Sequence, residues 1–186
     1  MNSTNFAFDV GWHFLDAGRR IERAQNLIVS LSPLVQPRPP DVDALVLESV
    51  LLGHESAITY RRRHQAVPTV AAVLELLLHD RTNPRSLAYQ LDRLREALAV
   101  IPLAGRSPDQ RDHLLSDVVD LLDELDTVTF AAAITDDNRR TRLAEALESM
   151  LWRLRSTADE IERVHFTKVA PSRSLEDPWD AGTGAA

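Results

Sequence analysis

Apolar residues recur at intervals of three and four along most of the chain, the spacing of amphipathic helices that bury one face. This pattern predicts five long helices and one short helix. They cover approximately residues 8–31, 42–64, 70–80, 84–101, 108–130 and 139–166, of which 70–80 is the short one. In the second helix the positions expected to face inward are Leu45, Val46, Val50, Leu51 and Ile58. No segment has the pattern of a β-strand, so the sequence predicts an all-α fold. The expected architecture is an antiparallel helical bundle.

Polar residues next to proline mark where several of these helices should begin. Asn83 is predicted to cap the helix at 84–101, because Pro84 follows it at the first helical position. The Ser107–Asp109 segment has the same arrangement before the next helix. Asp136 or Asp137 is the expected cap of the last helix.

The helical pattern and the loss of that pattern near the end divide the chain into a domain and a tail. Residues 1–169 are predicted to form one helical domain. Residues 170–186 are rich in Pro, Ser, Gly and Asp and have no periodicity, so a flexible C-terminal tail is expected there.

Charge and composition exclude several classes of function. The formal net charge is −7, and Lys168 is the only lysine beside twenty arginines. A net negative chain is not expected to bind nucleic acid, since that affinity comes mainly from surplus cations. The chain has no cysteine and six glycines, which excludes a thiolate nucleophile and disfavours a phosphate-binding glycine loop. No long apolar run or signal sequence is present, so no membrane association and a cytoplasmic location are expected.

Part of the first helix resembles part of the last, through a duplication or through chance similarity of two amphipathic helices. Four identities recur at an offset of 140 residues: Trp12, Ile21, Glu22 and Arg23 match Trp152, Ile161, Glu162 and Arg163. Each glutamate lies at the flank of the buried stripe, about 100° round the helix from the isoleucine before it. Two interpretations remain open. The glutamates form ion pairs that fix the register of neighbouring helices, or they bind a ligand.

Metal and catalytic chemistry have little support in the sequence. Di-iron helical bundles need a Glu-x-x-His pair on each of two helices and further glutamates, but Glu162-x-x-His165 is the only such pair. No nucleophile motif or triad-like order is present. We therefore expect no cofactor, no metal and no intrinsic catalysis. The alternative is a bundle that uses Glu22 and Glu162 to bind a metal or a carboxylate.

Arginines supply the candidate anion-binding groups. Arg61, Arg62 and Arg63 are consecutive near a predicted helix end, where they either stabilise the helix C-terminus or bind an anion. Arg85 is expected just inside the cap made by Asn83, near unpaired amide groups that attract anions.

Three segments together resemble the bacterial alpha-E family, an all-helical domain with a Glu-Arg motif. They are 14–24, which contains Arg19, Glu22 and Arg23, then 59–63, and 83–94, the most specific of the three. The resemblance covers about residues 6–168. It implies that this chain corresponds to the C-terminal portion of longer family members.

The resemblance also implies a setting for the protein. Alpha-E domains are encoded beside, or fused to, an ATP-grasp domain and a transglutaminase-like protein. This implies a role in peptide ligation or modification. The leading hypothesis is therefore a non-catalytic accessory or interaction domain whose partner is an ATP-grasp-type ligase or a second copy of the chain. The candidate motif or interaction residues are Arg19, Glu22, Arg23, Arg61, Arg62, Arg63, Asn83, Arg85, Glu162 and Arg163.

A chain that corresponds to part of a larger bundle should leave some apolar stripes uncovered, and such patches usually mark interfaces. We therefore expect self-association or a stable complex. Light scattering on the purified protein at micromolar concentration tests this, and a monodisperse monomer that binds no partner would contradict it.

Overall fold

The computed structural model describes residues 3–102 and 110–166, with side chains from Val10 onward. This part of the chain contains eight α-helices and no strand, which confirms the all-α prediction. The helices are α1 (Ser3–Leu31), α2 (Pro40–Gly53), α3 (Ala57–His64), α4 (Val70–Leu74), α5 (Leu87–Val100), α6 (Gln110–Asp123), α7 (Thr127–Ala132) and α8 (Thr141–His165). A 3-10 turn (Ser32–Val35) follows α1, and a π-helical turn (Glu75–His79) continues α4. The predicted cap at Ser107–Asp109 and the predicted tail lie outside the described residues.

Helix α1 packs along both α5 and α8, and α6 also packs along α8. Helices α1 and α8 run in opposite directions. The ring of Phe14 near the start of α1 meets the rings of His165 and Phe166 at the end of α8, with centroids 4.9 and 5.0 Å apart. Five of the apolar residues that recur at intervals of three and four along α1 are buried: Ala17, Ile21, Ala24, Ile28 and Leu31. None of the described helices is long and apolar enough to cross a membrane.

The predicted helix at 42–64 is two helices, α2 and α3, with a tight turn between them. Glu55 adopts a left-handed backbone with φ 50°. The amide of Ser56 donates to the carbonyl of Leu51 and that of Glu55 to Leu52, the pattern that closes a helix C-terminus. The break changes which side chains face inward. Leu45 and Ile58, expected in the core, are 66% and 67% exposed.

The predicted helix at 108–130 also divides, into α6 and α7. The carboxylate of Asp126 accepts a hydrogen bond from the Val128 amide at 3.2 Å and caps α7. It also accepts one from the Thr129 hydroxyl at 2.5 Å. Such local bonds from an aspartate compete with a continuing helix, which explains the break.

Two predicted helix caps are wrong. Helix α5 begins three residues after Pro84, and Ser86 is its cap, with its Oγ accepting from the Tyr89 amide at 3.1 Å. Asn83 instead forms a turn in which its Oδ1 accepts from the Arg85 amide at 3.1 Å. At the start of α8 the N-cap position is held by Arg140. The carboxylate of Asp137 accepts a hydrogen bond from Thr135 within the preceding turn.

Arg140 is a buried arginine that joins separate parts of the bundle. Its Nε donates to the carbonyl of Ala131 at 2.6 Å, and its Nη1 donates to that of Leu34 at 2.8 Å. Its own amide donates to Val35 at 2.8 Å. These bonds fasten the start of α8 to the end of α7 and to the 3-10 turn after α1. They also satisfy carbonyl groups that would otherwise be buried without a partner.

Replacing Arg140 with methionine should lower the free energy of unfolding by about 3 kcal/mol, because the buried carbonyl of Leu34 and the half-buried carbonyl of Ala131 lose their donors. Urea denaturation followed by circular dichroism measures the change. Arg155→Ala, at an exposed position of α8, is the matched control and should change stability by less than about 0.5 kcal/mol. Equal stability of the two variants would show that Arg140 does not hold these elements together.

Candidate functional site

A polar cleft of about 180 Å³ opens on the surface where three elements meet. Its walls include Arg23 and Asn26 from α1, His54 and Glu55 from the turn between α2 and α3, and Arg85 from the turn before α5. Arg23 and Arg85 are two of the arginines predicted from the sequence, and the fold brings them to one site.

Buried polar side chains beneath the cleft hold its two turns together. The Asn83 amide group donates to the carbonyl of Leu76 at 3.1 Å and to the hydroxyl of Ser56 at 3.4 Å. The hydroxyl of Ser86 donates to the carbonyl of Asp80 at 2.6 Å. Asn83, Ser56 and Ser86 are all buried, so these bonds are shielded from water. They fix the backbone on both sides of Arg85.

Gln90 forms the floor of the cleft and has both ends of its amide occupied. Its Oε1 accepts from Arg20 Nη1 at 3.3 Å, and its Nε2 donates to the carbonyl of Pro84 at 2.5 Å. Arg20 is held in turn by Asp16 at 3.1 Å. The floor therefore ties α1 to the turn before α5.

The guanidinium groups of the cleft differ in their partners. Arg85 forms an ion pair with Glu55, and both side chains reach solvent. Arg23 is exposed and makes no ion pair or hydrogen bond with any described side chain. The cleft thus contains one arginine, Arg85, that is in an ion pair, and another, Arg23, whose guanidinium N–H groups can bind a ligand.

His54 is held neutral at the edge of the cleft. The Ser30 hydroxyl donates to the carbonyl of Leu27 at 2.7 Å, so it accepts from His54 Nε2–H at 2.5 Å. Burial, and after it the positive charge of Arg85, lower the pKa of His54 below its ordinary value of 6.5. The imidazole therefore adds no charge to the cleft near neutral pH.

The two Glu-Arg pairs have different surroundings. In α1 the Glu22 carboxylate is exposed and forms no ion pair with the described residues. In α8 the guanidinium of Arg163 binds Glu160 of its own helix through two bonds of 2.6 and 2.8 Å. The Arg163 bonds lower the pKa of Glu160. Glu162 borders an apolar groove between α1 and α8.

The remaining predicted arginines do not form a common site. Arg61 pairs with Glu48 of α2 at 2.6 Å. Arg63 pairs with Asp80 at 2.5 Å and donates to Thr82 at 3.0 Å. Arg62 is exposed. The guanidinium of Arg19 lies 5.7 Å above the Trp12 ring.

Arg61 and Arg63 thus link α3 to α2 and to the residue that follows the π-helical turn. In the described part of the chain, no group of three His, Asp or Glu side chains is placed to hold a metal ion.

Comparison with known proteins identifies the class of this domain. Its sequence matches the Alpha-E family, described as a predicted alpha-helical domain with a conserved ER motif, over residues 1–166. The chain belongs to this family. The resemblance seen in the sequence is therefore confirmed, whereas the correspondence to a C-terminal portion stays a prediction.

The chain is also similar to uncharacterized proteins of Mycobacterium tuberculosis and Mycobacterium bovis. It is 38% identical to them over 172 residues, which are 92% of this chain and 19% of each relative. The chain thus spans about a fifth of the length of these relatives. No solved structure gives a significant match.

Sequence reasoning did not find His54, Glu55, Asn26 or Gln90. All four lie within helical patterns or beside them, where polar residues usually face solvent. Glycine at position 53 followed by three polar residues is the one local signal of a turn. This local signal cannot show that Glu55 in the turn contacts Arg85, since 30 residues separate the two in the chain.

Titration of the His54 ring by NMR should give a pKa below 6.5, and Arg85→Ala should raise this pKa only in part because burial is the larger cause. Arg62→Ala is the control and should leave it unchanged. Because the unfolded chain binds this proton more readily, the free energy of unfolding should fall as the pH drops through and below 6.5. A His54 pKa at or above 6.5 would contradict this account.

Proposed function

We propose that this domain is a non-catalytic interaction domain of the cytoplasm that docks onto an ATP-grasp-type ligase and takes part in peptide ligation or modification. The association with a ligase and a transglutaminase-like protein is what family resemblance implies. The observation that carries the docking role is an uncovered apolar surface on α2 and α3.

This surface consists of an apolar groove and the side chains beside it. The α2 groove has a volume of about 600 Å³ between α2 and the end of α1, and Val42, Leu45 and Val46 line it. Outside the groove lining, Leu52 of α2 and Ile58 of α3 are also exposed, by 61% and 67%. Single exposed apolar residues are ordinary, but a groove lined by several apolar side chains is typical of protein contacts.

The length of the relatives supports a partner of this kind. In the mycobacterial proteins the matching region is 19% of the chain, so most of each polypeptide lies outside it. A domain that functions next to other domains needs a surface that contacts them. The ligase is proposed to provide that contact here, and a second copy of this chain is the other candidate.

Leu45→Asp and Ile58→Asp should each weaken binding to the purified ATP-grasp-type ligase of the same organism by about tenfold or more, because a charge would be buried in an apolar contact. Bio-layer interferometry measures the affinity. Val128→Asp is the control, since Val128 is equally exposed on α7 and lies outside the α2 groove.

Two outcomes would contradict the proposal. The first is that the wild-type domain fails to bind the ligase. The second is that the Leu45 and Ile58 variants bind the ligase as well as the Val128 variant does. Self-association of the wild type that Leu45→Asp abolishes would assign the surface to a second copy instead.

A further inference from the structure

The polar cleft and the α2 groove are two parts of one continuous surface, because Gly53 and His54 line both. We propose that this surface binds an extended peptide segment of the partner in which apolar side chains precede a carboxylate. The apolar side chains occupy the α2 groove, and Arg23 and Arg85 bind the carboxylate in the cleft. This inference rests on the proposed function and names the chemistry that the partner must present.

The charge of the cleft favours an anion. Two arginines, Arg23 and Arg85, and one carboxylate, Glu55, line the cleft, so its lining has a net positive charge on a chain whose net charge is −7. The guanidinium fork of Arg23 has no described partner and can make the paired hydrogen bonds that carboxylates accept.

Glu55 shows which anion the cleft accommodates. Its carboxylate already binds Arg85, in a pair whose side chains are 72% and 41% exposed. Exposed ion pairs contribute little to stability, because water screens them and two long side chains must be ordered. Glu55 can therefore be displaced from Arg85 by a carboxylate of the partner. The guanidinium group of Arg23 then supplies a second set of donors to that carboxylate.

The cleft is organised before any ligand arrives. The buried Asn83 fixes the turn that carries Arg85 through bonds to the Arg85 amide and the Leu76 carbonyl. Gln90 holds the carbonyl of Pro84 from below. Binding therefore does not have to order the backbone around Arg85, which favours affinity for a small ligand group.

A singly charged carboxylate fits this site better than a phosphate group. His54 is neutral near pH 7, so it adds no positive charge to the cleft. Its Nε2–H already donates to Ser30 and therefore cannot donate to a ligand. The remaining net charge matches one carboxylate. The overall negative charge of the chain also opposes a polyanion such as RNA.

A synthetic probe tests the inference: a C-terminally amidated peptide of sequence Leu-Ala-Leu-Glu with a fluorophore on its N-terminal amine, and the matched Leu-Ala-Leu-Gln peptide as its neutral counterpart. Fluorescence anisotropy should show binding of the first peptide about tenfold tighter than the second. Arg23→Ala should remove most of this preference. Arg62→Ala removes an exposed arginine outside the cleft and should leave the preference intact.

Glu55→Gln separates a binding role from a structural one. It should tighten binding of the acidic peptide several-fold, because Arg85 loses its competing carboxylate. If Arg85→Ala unfolds the protein, Arg23→Ala and Glu55→Gln still decide the question. Equal affinity for the two peptides, unchanged preference in Arg23→Ala, or weaker binding by Glu55→Gln would overturn the inference.

Competition with inorganic phosphate identifies the preferred anion. Phosphate that displaces the acidic peptide more effectively than acetate does would assign the cleft to a phosphate group and overturn the proposal. The outcome is also separable from the test of ligase binding. If ligase binding depends on Leu45 but not on Arg23, the proposed interaction domain is supported and the proposed carboxylate site is contradicted.

Discussion

The bundle depends on polar side chains that are buried where helices end. Helix ends leave carbonyl and amide groups without partners, and in this fold several of those ends lie inside the domain. Arg140 supplies donors to the carbonyls of Ala131 and Leu34. Arg111, also buried, donates to the carbonyls of Leu98 and Ile101 at the end of α5. A guanidinium serves this purpose well because it presents several donors in a fixed plane.

The same constraint explains where the candidate site formed. The turn between α2 and α3 and the turn before α5 both contain backbone groups that need partners, and Ser56 and Asn83 meet between them. Their buried hydrogen bonds place Glu55 beside Arg85, while Gln90 and Arg20 connect the second turn to α1. The side chains that line the cleft are thus open to solvent, while buried hydrogen bonds hold the backbone that carries them. Binding sites on stable scaffolds commonly have this arrangement.

The sequence predicted the fold class and the elements with strong periodicity. Helices α1 and α8 are long, with buried stripes at regular intervals, and both were expected within a few residues of their ends apart from the earlier start of α1. The breaks at Glu55 and Asp126 were missed because apolar periodicity continues through them. Arg23 and Arg85 were singled out separately, but their convergence depends on how α1 packs on α5. Arg140 and Arg111 were overlooked, since arginine in a helical pattern is usually a surface residue.

The left-handed backbone of Glu55 has an evolutionary consequence. Glycine reaches this conformation without the steric cost of a β-carbon, which is about 1 kcal/mol or more for other residues. A chain selected for thermal robustness alone would be expected to carry glycine at position 55. Glutamate at this position has that steric cost and places an acid group opposite Arg85. Gln65 and Asn138 also have a positive φ, but of these three residues only Glu55 lines the polar cleft, so there the steric cost falls on a side chain of the candidate site.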